Sequence, residues 1–180
     1  MQQIEGIPRI VVAMGGNLPS RFGTPLQTLQ AAQTAFPSYG VKINAAASWY
    51  STPPLGPPGQ DDYINTVVSI ETDLDAAGLL ARLHEIEAAF ERRRVQHWGP
   101  RTLDLDLIDF AGQVVLPAPM PAGEARPLTL PHPEMTARTF VLVPLAELAP
   151  SWRHPVSGRT ALDLLEALPV SERTAIRRLG

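Results

Sequence analysis

The 180-residue sequence has no cysteine, which removes disulfides and thiolate metal sites from consideration. It has no apolar run of transmembrane length. Its first residues, Met1-Gln2-Gln3-Ile4-Glu5, carry neither a basic region nor a continuous apolar stretch, so no signal peptide is expected and a cytoplasmic location is the default. Only 18% of residues are charged and the net charge is −3, so the basic surface needed for broad nucleic-acid binding is missing. Neither the G-x-x-x-x-G-K-[ST] nor the G-x-G-x-x-G spacing of a phosphate loop occurs, although Gly15-Gly16-Asn17 ends an apolar run. There is no internal repeat. With 44% hydrophobic residues, the chain reads as one soluble globular domain, residues 1–180, large enough for a single substantial core.

Proline is abundant, with 19 residues. Most of these prolines fall in residues 53–58 and 117–133, which read as loops.

The most informative stretch is Trp98-Gly99-Pro100-Arg101-Thr102-Leu103-Asp104-Leu105-Asp106. From Leu103 to Leu107 apolar and acidic residues alternate, which is the period of a strand with one apolar and one polar face. Asp104 and Asp106 therefore share a face, roughly 7 Å apart at their Cβ atoms. Two adjacent carboxylates raise each other's pKa unless something neutralises them. Mg²⁺ is suited to this, because it binds through one or two carboxylates and completes its shell with substrate phosphates. Arg92, Arg93, Arg94, His97 and Arg101 lie just upstream, as a metal-polyphosphate complex requires. Periodicity alone equally allows a solvated face on which the arginines pair with the aspartates. The Gly99-Pro100 breaker, with Trp98 in it and Arg101 beside the acidic pair, favours the ligand reading.

The remaining elements follow from period and punctuation. Residues 9–14 read as a buried first strand. Thr24-Pro25 caps a helix of about three turns ending near Pro37. Residues 41–50 form a second strand and residues 63–72 a third, interrupted by Asn65. An amide among β-branched residues marks a turn or edge, or else meets a ligand. Asp73 or Asp75 caps a second helix with an apolar stripe of Leu79, Leu80, Leu83, Ile86 and Phe90. His84 and Glu87, neighbours on that helix, are most simply a solvated pair. After the acidic strand, residues 114–116 read as a hairpin strand, and His132 is held stiffly between two prolines. Beyond Ser157-Gly158 an amphipathic helix over 162–168 closes the domain. The order predicts an α+β fold, a ferredoxin-like βαββαβ core with a mainly antiparallel sheet flanked by helices, plus C-terminal helical additions.

Five ordered segments resemble one family. They are Ala13-Met14-Gly15-Gly16-Asn17-Leu18, Tyr50 to Gly56, Gln60 to Asn65, Trp98 to Asp106, and Pro131-His132-Pro133 with Arg138-Thr139-Phe140-Val141-Leu142. Together they are similar to 6-hydroxymethyl-7,8-dihydropterin pyrophosphokinases, folate-pathway enzymes that move the terminal pyrophosphoryl group of ATP onto the pterin hydroxymethyl oxygen and release AMP. The resemblance covers about residues 9–150. It implies two Mg²⁺ ions on Asp104 and Asp106, and catalytic roles for Arg92, Arg94, Trp98 and Arg101 on a mobile loop and the phosphates. It implies ATP contacts at His84, Glu87, Arg94, His97, Trp98, Arg101, Thr129, His132 and Arg138, and a pterin pocket of Thr52, Pro53, Leu55, Tyr63, Asn65 and Phe140. Tyr63 and Phe140 suit the faces of a planar heterocycle and Asn65 its edge. The partners implied are small molecules, with no nucleic acid or membrane, and the chain is expected to be a monomer. The sequence departs from the family at Gly16, usually Ser, at Glu91, usually Gly, and at His97, often Arg. The loop 117–126 is longer than in short members, and Pro127 replaces a residue that is often basic.

Two other readings use the same residues. A metal-dependent nucleotidyltransferase could use the Asp-x-Asp strand on a different acceptor, releasing pyrophosphate. A pterin- or RNA-binding module could use the sheet without catalysis, but an RNA reader would show exposed aromatics beside basic residues on adjacent strands, and these are absent.

Overall fold

Strand β1 (Ile10–Gly16) is buried along its whole length, because it has a strand on each side and helices over both faces. The computed structural model describes residues 10–54, 59–91, 99–117 and 127–180. β1 pairs antiparallel with β4 (Tyr63–Glu71) and with β5 (Asp104–Phe110). β2 (Lys42–Ala46) lies on the last part of β4 and β3 (Tyr50–Thr52) on its first part. The sheet runs β5-β1-β4-β3-β6, with β6 (Arg177–Arg178) at its far edge. This is the expected βαββαβ arrangement, with β1 between the two strands that the second helix connects.

Helix α1 (Pro25–Ala35) starts at a reciprocal cap between Thr24 and Gln27, with Pro25 in its first turn. It gives way to a 3₁₀ turn, Phe36–Tyr39, since Pro37 cannot donate to a continuing helix. Helix α2 (Ala76–Ala89) is capped by Asp75, whose Oδ1 accepts the Gly78 N–H at 2.7 Å. Leu29, Ala32, Leu79, Leu83 and Ile86 of these helices pack on Val12, Met14, Val68, Leu105 and Leu107. The opposite face carries Val11, Ala13, Val67 and Ile108, covered by α3 (Thr139–Leu148) and α4 (Ala161–Glu166) with Trp152 between them. Strand alternation thus divides the sequence between two cores. Among the described residues no helix is long and apolar enough to cross a membrane.

In the fold the structure corrects the sequence reading in four places. The single strand expected over 41–50 is two strands, because the Ser48 N–H leaves the ladder and donates to Glu147 at 2.9 Å. Among the described residues the hairpin strand expected at 114–116 is one bridge between Val115 and Leu130, with Val114 and Leu116 exposed. Asn65 is at no edge or turn; it is buried in β4, with β1 on one side and β3 on the other. Finally, the chain continues past the closing helix into α5 (Val170–Thr174) and β6, two elements too short to show a period.

Candidate active site

Asp104 and Asp106 alternate with the core residues Leu103, Leu105 and Leu107, so both carboxylates point to the face covered further along by α3 and α4. A bulge then breaks the alternation. Leu107 faces Val12 and Asp109 faces Val11, leaving Ile108 extra, as a β-bulge does. Ile108 joins the α3-side core. Asp109 also turns to that side, accepting the Trp152 Nε1–H at 2.9 Å and the Gly112 N–H at 3.1 Å. Burial raises the Asp109 carboxyl pKa despite those donors. The site face therefore holds the two partly exposed aspartates, and a third acid, buried at 3% exposure, serves the core.

Cations balance the pair. Arg101 Nη1 donates to Asp104 Oδ2. Arg138 Nη1 donates to Asp106 Oδ2 at 2.9 Å, and its Nη2 bonds Glu134. His132 Nε2 lies 3.9 Å from Asp106 Oδ1, while its Nδ1 accepts the Glu134 N–H at 3.2 Å. The His132 N–H binds the Ile108 carbonyl at 2.9 Å, which fixes this loop beside β5. Thr129 and His132 line one cavity of about 250 Å³ together with Val115, Leu130 and His154.

Gly15 separates the acidic residues from the second half of the site. It faces Asp104 on one side and Asn65 on the other, so all three share a sheet face, with the outer two roughly 10 Å apart across two strand spacings. A Cβ at Gly15 would stand 2.4 Å from Asn65 Oδ1. The missing side chain leaves the floor between them open. Asn65 Nδ2 donates to Thr52 Oγ1 at 2.7 Å. Tyr63, opposite Thr52, donates its hydroxyl to the Gly99 carbonyl at 3.0 Å. Burial raises the Tyr63 pKa, with Arg101 opposing, so the hydroxyl remains a donor at neutral pH. Phe140 is partly buried in the first turn of α3, with the Arg138 guanidinium 5.5 Å from its ring centre.

Two supports were not predicted. Asn17, 2% exposed, clamps the loop before β5. Its Oδ1 accepts the Arg101 N–H at 2.9 Å, its Nδ2 donates to the Asp61 carbonyl at 3.1 Å, and its own N–H binds the Arg101 carbonyl at 2.9 Å. The motif around Asn17 was visible, but its partner lies 84 positions away. Gly16 belongs to the same contact, since a Cβ there would meet the Thr102 carbonyl oxygen at 2.5 Å. The second support is Glu87, which corrects the expected solvated pair: it is 2% exposed and its Oε1 accepts the Leu105 N–H at 2.7 Å. His84 beside it is partly buried.

The structure thus gathers Arg101, Asp104, Asp106, His132 and Arg138 at one place, and Thr52, Tyr63 and Asn65 at another on the same sheet. Leu55, Arg92, Arg94, His97 and Trp98 lie outside the described residues. Among the described residues no three acidic or histidine side chains form a ready metal cage. An all-oxygen pair of half-buried carboxylates still fits Mg²⁺, which takes few protein ligands and fills its shell from substrate. The arginines now on those oxygens would then be available to phosphate, which guanidinium binds well.

Residues 11–150 match the family model for 7,8-dihydro-6-hydroxymethylpterin-pyrophosphokinase (HPPK). The chain is 43% identical over 157 residues to the 2-amino-4-hydroxy-6-hydroxymethyldihydropteridine pyrophosphokinase of Synechocystis sp., covering 87% of this chain and 74% of that protein. It is 41% identical to the Pseudomonas aeruginosa protein of the same name, covering 91% and 93%. A crystal structure of wild-type Plasmodium falciparum HPPK-DHPS shares the fold, with a TM-score of 0.73 at 14% identity, over 98% of this chain and 47% of that one. The chain spans about half the length of that protein. From these likenesses and the site's composition, the chain belongs to the 7,8-dihydro-6-hydroxymethylpterin-pyrophosphokinase family and is an ATP-dependent pyrophosphokinase of folate biosynthesis.

Proposed function

We propose that the transfer takes place over the sheet face that joins Asp104, Gly15 and Asn65, with ATP phosphates on the acidic side and the pterin on the amide side. The observation that carries this is the register itself: Gly15 faces both Asp104 and Asn65, so the two halves adjoin across one side-chain-free position. Thr52, Pro53, Tyr63, Asn65 and Phe140 would hold the pterin. Asn65 and Thr52 offer amide and hydroxyl groups to its polar edge, and desolvation makes such contacts selective. Thr129, His132, Arg101 and Arg138 would hold the nucleotide. By sequence comparison Leu55 joins the pterin side, and His84, Arg92, Arg94, His97 and Trp98 the nucleotide side. Glu87 is read as a brace of β5 rather than a direct ligand.

In the reaction the pterin hydroxymethyl oxygen attacks the β-phosphorus of ATP. A new O–P bond forms, the bond from that phosphorus to the bridging oxygen of AMP breaks, and the hydroxyl proton passes to solvent. Phosphoryl transfer asks of a protein mainly positioning and charge neutralisation. Asp104 and Asp106 would hold two Mg²⁺ ions, which would neutralise the phosphate charge. Arg101 and Arg138, released from the aspartates, would pair with phosphate oxygens, and Asn17 would keep the Arg101 backbone in place meanwhile. We read the chain as a monomer acting on small molecules in the cytoplasm.

The test is product analysis with Asp106→Asn and the wild type. The expected result is AMP with pyrophosphorylated pterin from the wild type and a loss of turnover in the variant. Release of pyrophosphate in place of AMP would return the reaction to the nucleotidyltransferase class, which the family match argues against.

A further inference from the structure

We propose that the C-terminal strand β6 is a positioning element for the pterin side of the site, so that pterin affinity, and not ATP affinity, depends on Arg177 and Arg178. This rests on the pterin pocket assigned above. β6 lies beyond residue 150, where the family match ends.

The pocket residue Thr52 ends β3, a strand of three residues. So short a strand, open on its outer side, holds weakly. β6 supplies that outer side: Arg178 pairs with Tyr50 and Arg177 with Ser51, and the Leu179 N–H donates to the Trp49 carbonyl at 2.8 Å. Arg177 Nη2 lies 3.3 Å from Asp62 Oδ2, the same oxygen that accepts the Ser51 hydroxyl at 2.9 Å. Arg178 Nε donates to Ser48 Oγ at 2.8 Å, and its Nη2 lies 3.3 Å from Glu147 Oε1.

Glu147 makes this corner more than a strand end. Its oxygens accept the Ser48 N–H, the Ser48 hydroxyl at 2.7 Å and the Tyr50 hydroxyl at 2.9 Å. Burial would raise its pKa, but the Ser48 side-chain and backbone bonds, Tyr50 and Arg178 outweigh burial and hold it low. Burial and then Glu147 push the Tyr50 hydroxyl up to about 12, so it remains a donor. Glu147 stands on α3 seven positions after Phe140, about two turns along the same helix face. One carboxylate therefore ties together β3 with Thr52, α3 with Phe140, and the tail. Asp104 and Asp106 sit on β5 at the opposite end of the strand order.

The side chains of Arg177 and Arg178 are 75% and 67% exposed, and exposed ion pairs by themselves contribute little. Their effect comes from holding β6 in register on β3 through the contacts to Asp62, Ser48 and Glu147, since the β6–β3 pairing keeps β3 in the binding-competent arrangement. When that arrangement is only partly populated, apparent affinity falls by the populated fraction.

The test uses the full chain with Arg178→Glu, which sets a carboxylate against Glu147, and with the milder Arg177→Ala/Arg178→Ala double variant. Calorimetry with 6-hydroxymethyl-7,8-dihydropterin and with ATP is run separately, thermal unfolding checks the fold, and steady-state kinetics separates KM from kcat. The expected result is pterin binding weakened by about tenfold in Arg178→Glu and by less in the double variant. ATP binding and kcat at saturating pterin stay near wild type. Unchanged pterin affinity, or equal loss for both ligands, would overturn the proposal. Asn65→Leu in parallel distinguishes the two readings. If it loses pterin affinity while the tail variants do not, only the tail inference fails; if none of the variants loses it, the pocket assignment fails too.

Discussion

Glu87 Oε1 accepts the Leu105 N–H at 2.7 Å, so a buried carboxylate on α2 grips the residue that stands between the two site aspartates. Among the described residues β5 has a strand partner on one side only, and without Glu87 this N–H of the outer edge would be a buried donor with a lost acceptor. Replacing one partner of such a pair costs about 1 to 3 kcal/mol. Glu87→Ala should lower unfolding free energy by that amount and reduce kcat/KM through a displaced Asp104–Asp106 spacing. Glu87→Gln keeps an acceptor and should recover most of both. Urea unfolding of the two variants checks this, and equal losses would show that the charge matters more than the acceptor.

Gly15→Ala tests the shared floor of the site. Its Cβ would meet Asn65 Oδ1 at 2.4 Å, and Asn65 cannot move freely because it is buried and bonded to Thr52. Overpacking of this kind costs about 1 to 3 kcal/mol. The expected outcome is a loss of stability in that range and weaker pterin binding with a smaller change for ATP, read by denaturation and separate titrations.

Asp106→Ala should abolish turnover and leave the fold nearly as stable as before. The side chain is 28% exposed, and Arg138 retains its bond to Glu134, so no lone buried charge is left behind. The pair is partly buried, so the loss should lie at the upper end of the range for accessible ion pairs, about 1 kcal/mol. A calorimetric melt together with an AMP-release assay would reveal whether activity and stability separate as expected.

Trp152→Phe should destabilise the protein more at pH 8 than at pH 4. Burial raises the folded Asp109 pKa, while the Trp152 donor lowers it. An acid whose folded pKa lies above its unfolded value, about 3.9, costs stability as pH rises through that interval. Removing the donor raises the folded value further and deepens the cost above it. The penalty should grow by on the order of 1 kcal/mol or more across the range. Unfolding at the two pH values provides the comparison, and a pH-independent penalty would mean that only packing was lost.

The sequence by itself determined the local elements and pointed to one half of the candidate site. Leu103 to Leu107 announces a two-faced strand, Thr24-Pro25 a helix start, and the order of elements a ferredoxin-like core, because period and capping are properties of neighbouring residues. Asp104 and Asp106 were legible for the same reason. What only tertiary structure decided is which distant groups meet them. No spacing reveals that Asn17 holds Arg101, that Gly15 stands between Asp104 and Asn65, or that Glu87 reaches Leu105. The bulge at Ile108, which turns Asp109 into the core while Asp106 stays in the site, depends on register with β1. β6 has two residues and no period, and it exists because β3 offers it an edge. Hydrogen bonds between residues far apart in the chain depend on how elements are assembled, and alternation or capping within one element carries no record of its partner.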